Sequence, residues 1–222
     1  MKSVFNEEIN REKILKPIHA KIITVEGIDG SGKTTLVESC VSKFSNLGYK
    51  VKQFQTSSDF NCFWDIVNKG VANKSIDRNM NQMFHNVAFL TYLKTLFIDE
   101  LNNNDFVIGD WYIYGKMLLS ELYTNDPNCT SKKLIANELT MSKIFLPDFS
   151  FYLDISPEEA LKRIKKRKGI PEEKESLEML RAASKLWKRY LSEYNIQILN
   201  GNFSTQELTD DIISRVLKVV KK

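Results

Sequence analysis

The chain predicts an α/β fold: a doubly wound parallel five-stranded sheet flanked by helices, with a short helical lid. Two observations predict it. Short apolar runs rich in β-branched and aromatic residues recur at about 22–25, 51–54, 106–110, 149–154 and 196–199, and segments with helical apolar spacing separate them. That rhythm implies crossover connections and therefore parallel strands with helices on both faces. The second observation is local. Ile22-Ile23-Thr24-Val25 is a buried-strand run that breaks into a glycine-rich turn and then into an amphipathic helix beginning at Lys33. With 222 residues, no linker rich in Pro, Gly or Ser and no internal repeat, a single domain over 20–222 is expected, preceded by an extension over 1–19.

The turn is Gly27-Ile28-Asp29-Gly30-Ser31-Gly32-Lys33-Thr34, a full match to G-x-x-x-x-G-K-[ST]. Glycines let successive backbone N–H groups curl around a polyphosphate where side chains would block the approach. The helix that follows points its positive end at the same anion. Lys33 adds a charge at the β- and γ-phosphates, and the Thr34 hydroxyl is placed to ligate Mg²⁺. Strand before and helix after are the context this motif requires, so ATP and Mg²⁺ are the expected donor and metal.

Taken in order, residues 1–19 carry a weak helical stripe (Val4, Ile9, Ile14, Leu15) ended by Pro17, to which no function is assigned. After the phosphate loop, Leu36, Val37, Cys40, Val41, Phe44 and Leu47 recur at helical spacing, and Gly48 suits the closing position. Beyond the second strand, Phe63, Trp64, Ile66 and Val67 suggest a helix that Gly70 and Asn73 interrupt. Met83, Phe84, Val87, Leu90, Leu93, Leu96, Phe97 and Leu101 then mark one long helix from about Met80 to Leu101. Phe106 to Gly109 is an apolar strand ending in Asp110, at the sheet edge where ligands bind in parallel α/β folds. A carboxylate there holds Mg²⁺ beside the phosphate loop or caps the next helix. Helices over 111–124 and 131–145 follow. The fourth strand ends at Asp154. Ser156-Pro157-Glu158-Glu159 starts a helix with Ser as N-cap and Pro at the first position, and that helix runs into Arg163, Lys165, Lys166, Arg167 and Lys168. Helices over 173–194 and 204–220 bracket the last strand.

Composition narrows the class. Hydrophobic residues make up 42% and aromatics 11%, as in ordinary globular proteins. No apolar run reaches membrane-span length, and the N-terminus, with Glu7, Glu8 and Glu12, fits neither a signal nor a transit peptide. Cys40, Cys62 and Cys129 lie far apart without metal-ligand spacing, which suits reduced thiols and a cytoplasmic protein. A net charge of +4 fits phosphate-bearing small molecules. The basic run 162–168 lacks the interleaved aromatics of a single-strand-binding surface, so no nucleic-acid partner is expected.

With these segments placed, the chain resembles the thymidylate kinase branch of the P-loop nucleoside and nucleotide kinases from Lys21 onward. Val25 to Thr35 is similar to that family's E-G-x-D-G-x-G-K-T-T signature, Asp110-x-Tyr112-Ile113-Tyr114 to its D-R-Y-I-Y segment, and Pro147-Asp148 with Tyr152-Leu153-Asp154 to its P-D…Y-L-D strand. Ala160-Leu161-x-Arg163-Ile164 with Arg167 resembles its lid helix, giving a lid at about 162–175. The resemblance implies ATP- and Mg²⁺-dependent phosphorylation of dTMP. It implies donor binding through Gly27, Ile28, Asp29, Gly30, Ser31, Gly32, Lys33, Thr34 and Thr35, metal binding by Thr34 and Asp110, and catalysis by Lys33, Asp110, Arg163 and Arg167. The expected acceptor is a nucleotide or nucleoside, with Asp29, Trp111, Tyr112, Phe84 and Arg78 as its candidate contacts. The acceptor side departs from the pattern: Trp111 stands where the family usually has Arg, Gly115 replaces a common Ser, and Val51 to Trp64 contains no arginine. Trp111 donates one hydrogen bond and carries no charge, so it stacks on a base or packs. These departures leave open a deoxynucleoside kinase of this fold, or a nucleotide-binding regulator without kinase activity. Apolar helix faces leave a homodimer open.

Overall fold

The computed structural model describes residues 20–54, 69–70, 74–141 and 145–220; the extension over 1–19 and the apolar stretch 63–67 lie outside these. Five strands, β1 (Lys21–Glu26), β2 (Val51–Gln53), β3 (Phe106–Asp110), β4 (Phe149–Asp154) and β5 (Gln197–Asn200), form one sheet in the order β2-β3-β1-β4-β5. Every pairing is parallel. β1 is central, so the turn after Glu26 emerges between the ends of β3 and β4, where the strand order reverses.

The period-two alternation of β1 divides the molecule into two cores. Ile23 and Val25 join Ile108, Phe151 and Leu153 against Leu36, Val37, Cys40 and Phe44 of α1 (Lys33–Asn46) and Ile212 and Val216 of α8 (Thr205–Val220). Ile22 points the other way with Val107 and Tyr152, against α2 (Arg78–Tyr92), α4 (Ile113–Thr124), α6 (Pro157–Lys168) and α7 (Leu177–Glu193). On that second face the side chains become polar toward the end of the strand: Thr24 donates to Ser150 at 3.0 Å across β1 and β4, and Glu26 follows. Helices thus cover both faces, as the alternation of segments predicts.

Several boundaries differ from the sequence reading. The expected long helix starts at Arg78, because the Asp77 carboxylate accepts from the Met80 amide and caps the turn. It is not continuous: a π-helical segment, Leu93–Phe97, separates α2 from α3 (Ile98–Asn103). The wider turn keeps Leu93, Phe97 and Leu101, all nearly inaccessible, in the core. The helix expected over 131–145 is α5, Thr130–Met141. The one expected over 173–194 begins as a 3₁₀ turn (Glu173–Glu175); Ser176 then caps α7 by accepting from Met179. Ser156 caps α6 with Pro157 at its first position, as its sequence predicts.

Candidate active site

Three glycines build the loop after β1. Gly27, Gly30 and Gly32 have φ of +154°, +80° and +100°, a region that disfavours other residues. Close approach adds a second constraint: a Cβ on Gly30 would lie 2.6 Å from the Ala160 carbonyl oxygen, so the loop packs directly on the α6 backbone. The first helical bond of α1 is Leu36 N–H to Gly32 O, which leaves the amides of Lys33, Thr34 and Thr35 without intrahelical acceptors and aimed at the loop's mouth. The mouth opens into a cleft of about 260 Å³. Its floor is Asp29, Gly30, Gly32, Lys33, Thr34 and Thr35; Asp110 and Trp111 form one wall, and Arg163, Ile164 and Arg167 the other.

Within the cleft the sequence-expected donor residues come together. Thr34 Oγ1 donates to Asp110 Oδ2 at 2.8 Å, so a hydroxyl and a carboxylate from two elements converge beside the phosphate cradle. Asp110 serves that pair; α4 begins at Ile113 without a side-chain cap. Lys33 is buried and its ammonium donates to the Ile28 carbonyl at 2.8 Å. Burial pushes its pKa down, while Asp29, Asp110 and Glu26 pull it up and Arg167 opposes them. Arg163 Nε donates to Glu159 at 2.9 Å, and its guanidinium reaches the carbonyls of Ser31 at 3.3 Å and Gly201 at 3.2 Å. Arg167, 66% exposed, stands 3.6 Å from Glu175 at the outer end of α6.

The acceptor set fares differently. Asp29 lines the cleft. Trp111 follows Asp110 with φ of +51°, unusual for a bulky residue, and its ring lies over the Lys33 ammonium at 4.5 Å from the centroid. It therefore lines the cleft beside Lys33. Tyr112 is a correction: it is fully buried, its hydroxyl donates to the Phe145 carbonyl at 3.0 Å, and its ring is held by Phe54, Phe89 and Phe97, so it is a core residue and does not line the cleft. Phe84 is half-buried on α2 and is not among the cleft residues. Arg78 opens α2, and its side chain lies outside the described ones.

Two further residues adjoin the site. Glu26 ends β1 fully buried, and burial pushes its carboxyl up to about 8, opposed by Lys33 and reinforced by Asp110. The amides of Tyr112 and Gly115 draw it partly back, although neither carboxyl oxygen has a hydrogen bond of ordinary geometry. A Cβ on Gly115 would lie 2.7 Å from both Glu26 Oε2 and Trp111 Cε3, which explains why glycine, not serine, accompanies tryptophan here. Lys116, next in sequence, is the second. The signal for it was present: it is the lone charge in the otherwise apolar run Ile113 to Leu119.

A hydroxyl and a carboxylate 2.8 Å apart are hard oxygen donors of the kind Mg²⁺ takes with one or two protein ligands plus substrate phosphates. The buried Ser31 hydroxyl, without a hydrogen-bond partner in the loop, adds a polar atom that suits a phosphate-bearing ligand. Asp110→Asn should therefore raise the Mg²⁺ concentration needed for half-maximal rate about tenfold or more, as removal of one charged ligand implies; a Mg²⁺ titration of initial rate measures it.

The model of the thymidylate kinase family matches residues 25–212, from the strand before the phosphate loop into α8. The chain belongs to the thymidylate kinase family. Among relatives, a thymidylate kinase of Leptospira borgpetersenii serovar Hardjo-bovis is 30% identical over 211 residues, covering 93% of this chain and 96% of its own. One of Leptospira interrogans serovar copenhageni is 27% identical over 210 residues, covering 93% and 97%. One of Prochlorococcus marinus strain AS9601 is 27% identical over 207 residues, covering 89% and 95%. The chain is thus an enzyme of the nucleoside monophosphate kinase type, and Trp111 and Gly115 lie within the matched span. Among the described residues no helix is long and apolar enough to cross a membrane.

Proposed function

We propose that the chain transfers the γ-phosphoryl group of ATP to dTMP, giving dTDP and ADP. The observation that carries this reading is the match to the thymidylate kinase family over residues 25–212, supported by a cleft that the phosphate-loop residues, Asp110 and the α6 arginines line together. The loop amides and the α1 N-terminus hold the donor phosphates. Lys33 exchanges its bond to the Ile28 carbonyl for one to a phosphate oxygen; the Trp111 ring above it limits where the ammonium can go. Thr34 and Asp110 would hold Mg²⁺, which would supply positive charge to offset that of the donor's phosphates.

The basic end of α6 supplies the closing element. Ile164 is fully buried and Arg163 is bound to two backbone carbonyls, so the moving part of the expected lid (162–175) begins after Ile164. Closure carries Arg167 onto the transferring group and excludes water, which protects the donor from hydrolysis. A soluble cytoplasmic enzyme follows from the same reading.

Steady-state rates with Mg-ATP against every common nucleoside monophosphate and deoxynucleoside test the proposal. dTMP should give the highest kcat/KM. Absence of turnover with dTMP overturns it, and turnover with thymidine but with no monophosphate would favour a kinase of uncharged acceptors.

A further inference from the structure

We propose that Lys116 is the residue that receives the phosphate of the acceptor nucleotide, taking the task for which position 111 offers no cation. The inference rests on the monophosphate acceptor of the proposed reaction.

The geometry comes from three elements. Lys116 projects from the first turns of α4, and its Nζ lies 5.7 Å from the Phe89 ring centroid on α2. Burial lowers its pKa most, and the charges that oppose this are those of Glu26 at the end of β1 and Asp110 at the end of β3. His85, one turn before Phe89, feels both Lys116 and Lys174 of the 3₁₀ turn that follows α6. The ammonium therefore lies against α2 from α4, five residues after the Trp111 that walls the donor cleft, and is not itself among the residues lining that cleft.

Among the described residues no carboxylate lies within ion-pair reach of Lys116, whereas the other half-buried lysine on this side of the molecule, Lys132, pairs with Glu121 at 2.9 Å. Burial accordingly pushes Lys116 down to about 8. A half-buried cation with an apolar ring on one side and no ion-pair partner is stabilised by an incoming anion. The acceptor brings one. Its phosphate must come within reaction distance of the donor's terminal phosphate, and two polyanions approach only where a cation other than those holding the donor offsets their repulsion. Lys33, Arg163 and Arg167 line the donor cleft. Asp110, in a wall of that cleft, adds negative charge, which sharpens the need for Lys116.

Trp111 and Gly115 explain why the cation stands at 116. Trp111 adopts φ of +51° with its ring turned over Lys33, and its Cε3 already fills the space a side chain on residue 115 would occupy. Neither position can send a charge toward the acceptor, whereas residue 116, one step further round the helix, can.

The test compares dissociation constants of dTMP and thymidine for wild-type protein, Lys116→Met and Lys116→Arg, with thermal melts to confirm that each is folded. Wild type should bind dTMP well above thymidine. Lys116→Met should weaken dTMP about 10- to 100-fold while changing thymidine and the KM for ATP less than about twofold, and Lys116→Arg should retain most of the preference. Wild type that phosphorylates dTMP alongside a Lys116→Met variant that keeps the full preference overturns the assignment alone. Equal loss of dTMP and thymidine binding also overturns it, since Lys116 would then serve the nucleoside or the fold. Wild type that binds no monophosphate overturns the proposed reaction and the assignment together.

Discussion

Lys33→Ala should reduce turnover of dTMP by about 10³-fold or more with the fold intact. Removing one preorganised donor from a transition-state oxyanion typically costs about 10²–10³ in rate, and a buried full charge on a transferring phosphoryl group is worth at least as much. Two structural details place Lys33 at the upper end. It is 5% exposed, so solvent replaces little of its field. Its ammonium is fixed between the Ile28 carbonyl and the Trp111 ring, within a short movement of the loop's mouth. Lys33→Met is the companion variant: it keeps the apolar stem against Trp111 and should be as inactive as Lys33→Ala. kcat with saturating substrates, beside a melting curve, reads both. Retention of more than about a tenth of the wild-type rate would mean that the loop amides hold the phosphates sufficiently by themselves.

Much of this site was legible in the sequence because its chemistry is contiguous. The phosphate loop compresses strand end, turn and helix start into a dozen residues, and each has one dominant physical demand: positive φ, a charge, a hydroxyl. Asp110 was legible for a similar reason, since a carboxylate ending an apolar strand has few structural uses. The residues that were misread depend on contacts remote in sequence. Tyr112 sits beside Asp110 and Trp111 in the chain, but its hydroxyl is consumed by Phe145, thirty-three positions away, and only the packing of α2 and α4 reveals that. Trp111 was read as base-stacking or packing; a positive φ, which no local pattern announces, turns it to Lys33. The π-helical turn at Leu93–Phe97 was invisible because its apolar residues are equally compatible with a regular helix.

Arg163 and Arg167, four residues apart and read from the sequence as one pair, should separate by experiment. Arg167→Ala is expected to lower kcat by about 10³-fold or more, the scale of an arginine placed on a transferring phosphoryl group, with no change in melting temperature. Its side chain is 66% exposed and its nearest acid, Glu175, is 3.6 Å away and also pairs with Lys168, so the resting structure loses little without it. Arg163 has a second task. Its guanidinium joins Glu159 of its own helix to the Ser31 carbonyl in the phosphate loop and to the Gly201 carbonyl after β5. Arg163→Ala leaves those carbonyls without this donor and loosens α6 from the loop it covers. The expected loss is about 1.5 kcal/mol or more, lowering the melting temperature by roughly 3–6 °C. Its rate should fall too, and KM for ATP should rise, because the loop that binds the donor is no longer held; for Arg167→Ala the effect should lie in kcat with KM for ATP nearly unchanged. Arg163→Lys should recover part of the stability and little of the rate, since an ammonium cannot reproduce the guanidinium's several directed bonds. A stable Arg163→Ala whose deficit is confined to kcat would place both arginines on the moving lid, and an Arg167→Ala of near-normal rate would remove the lid from the chemistry altogether.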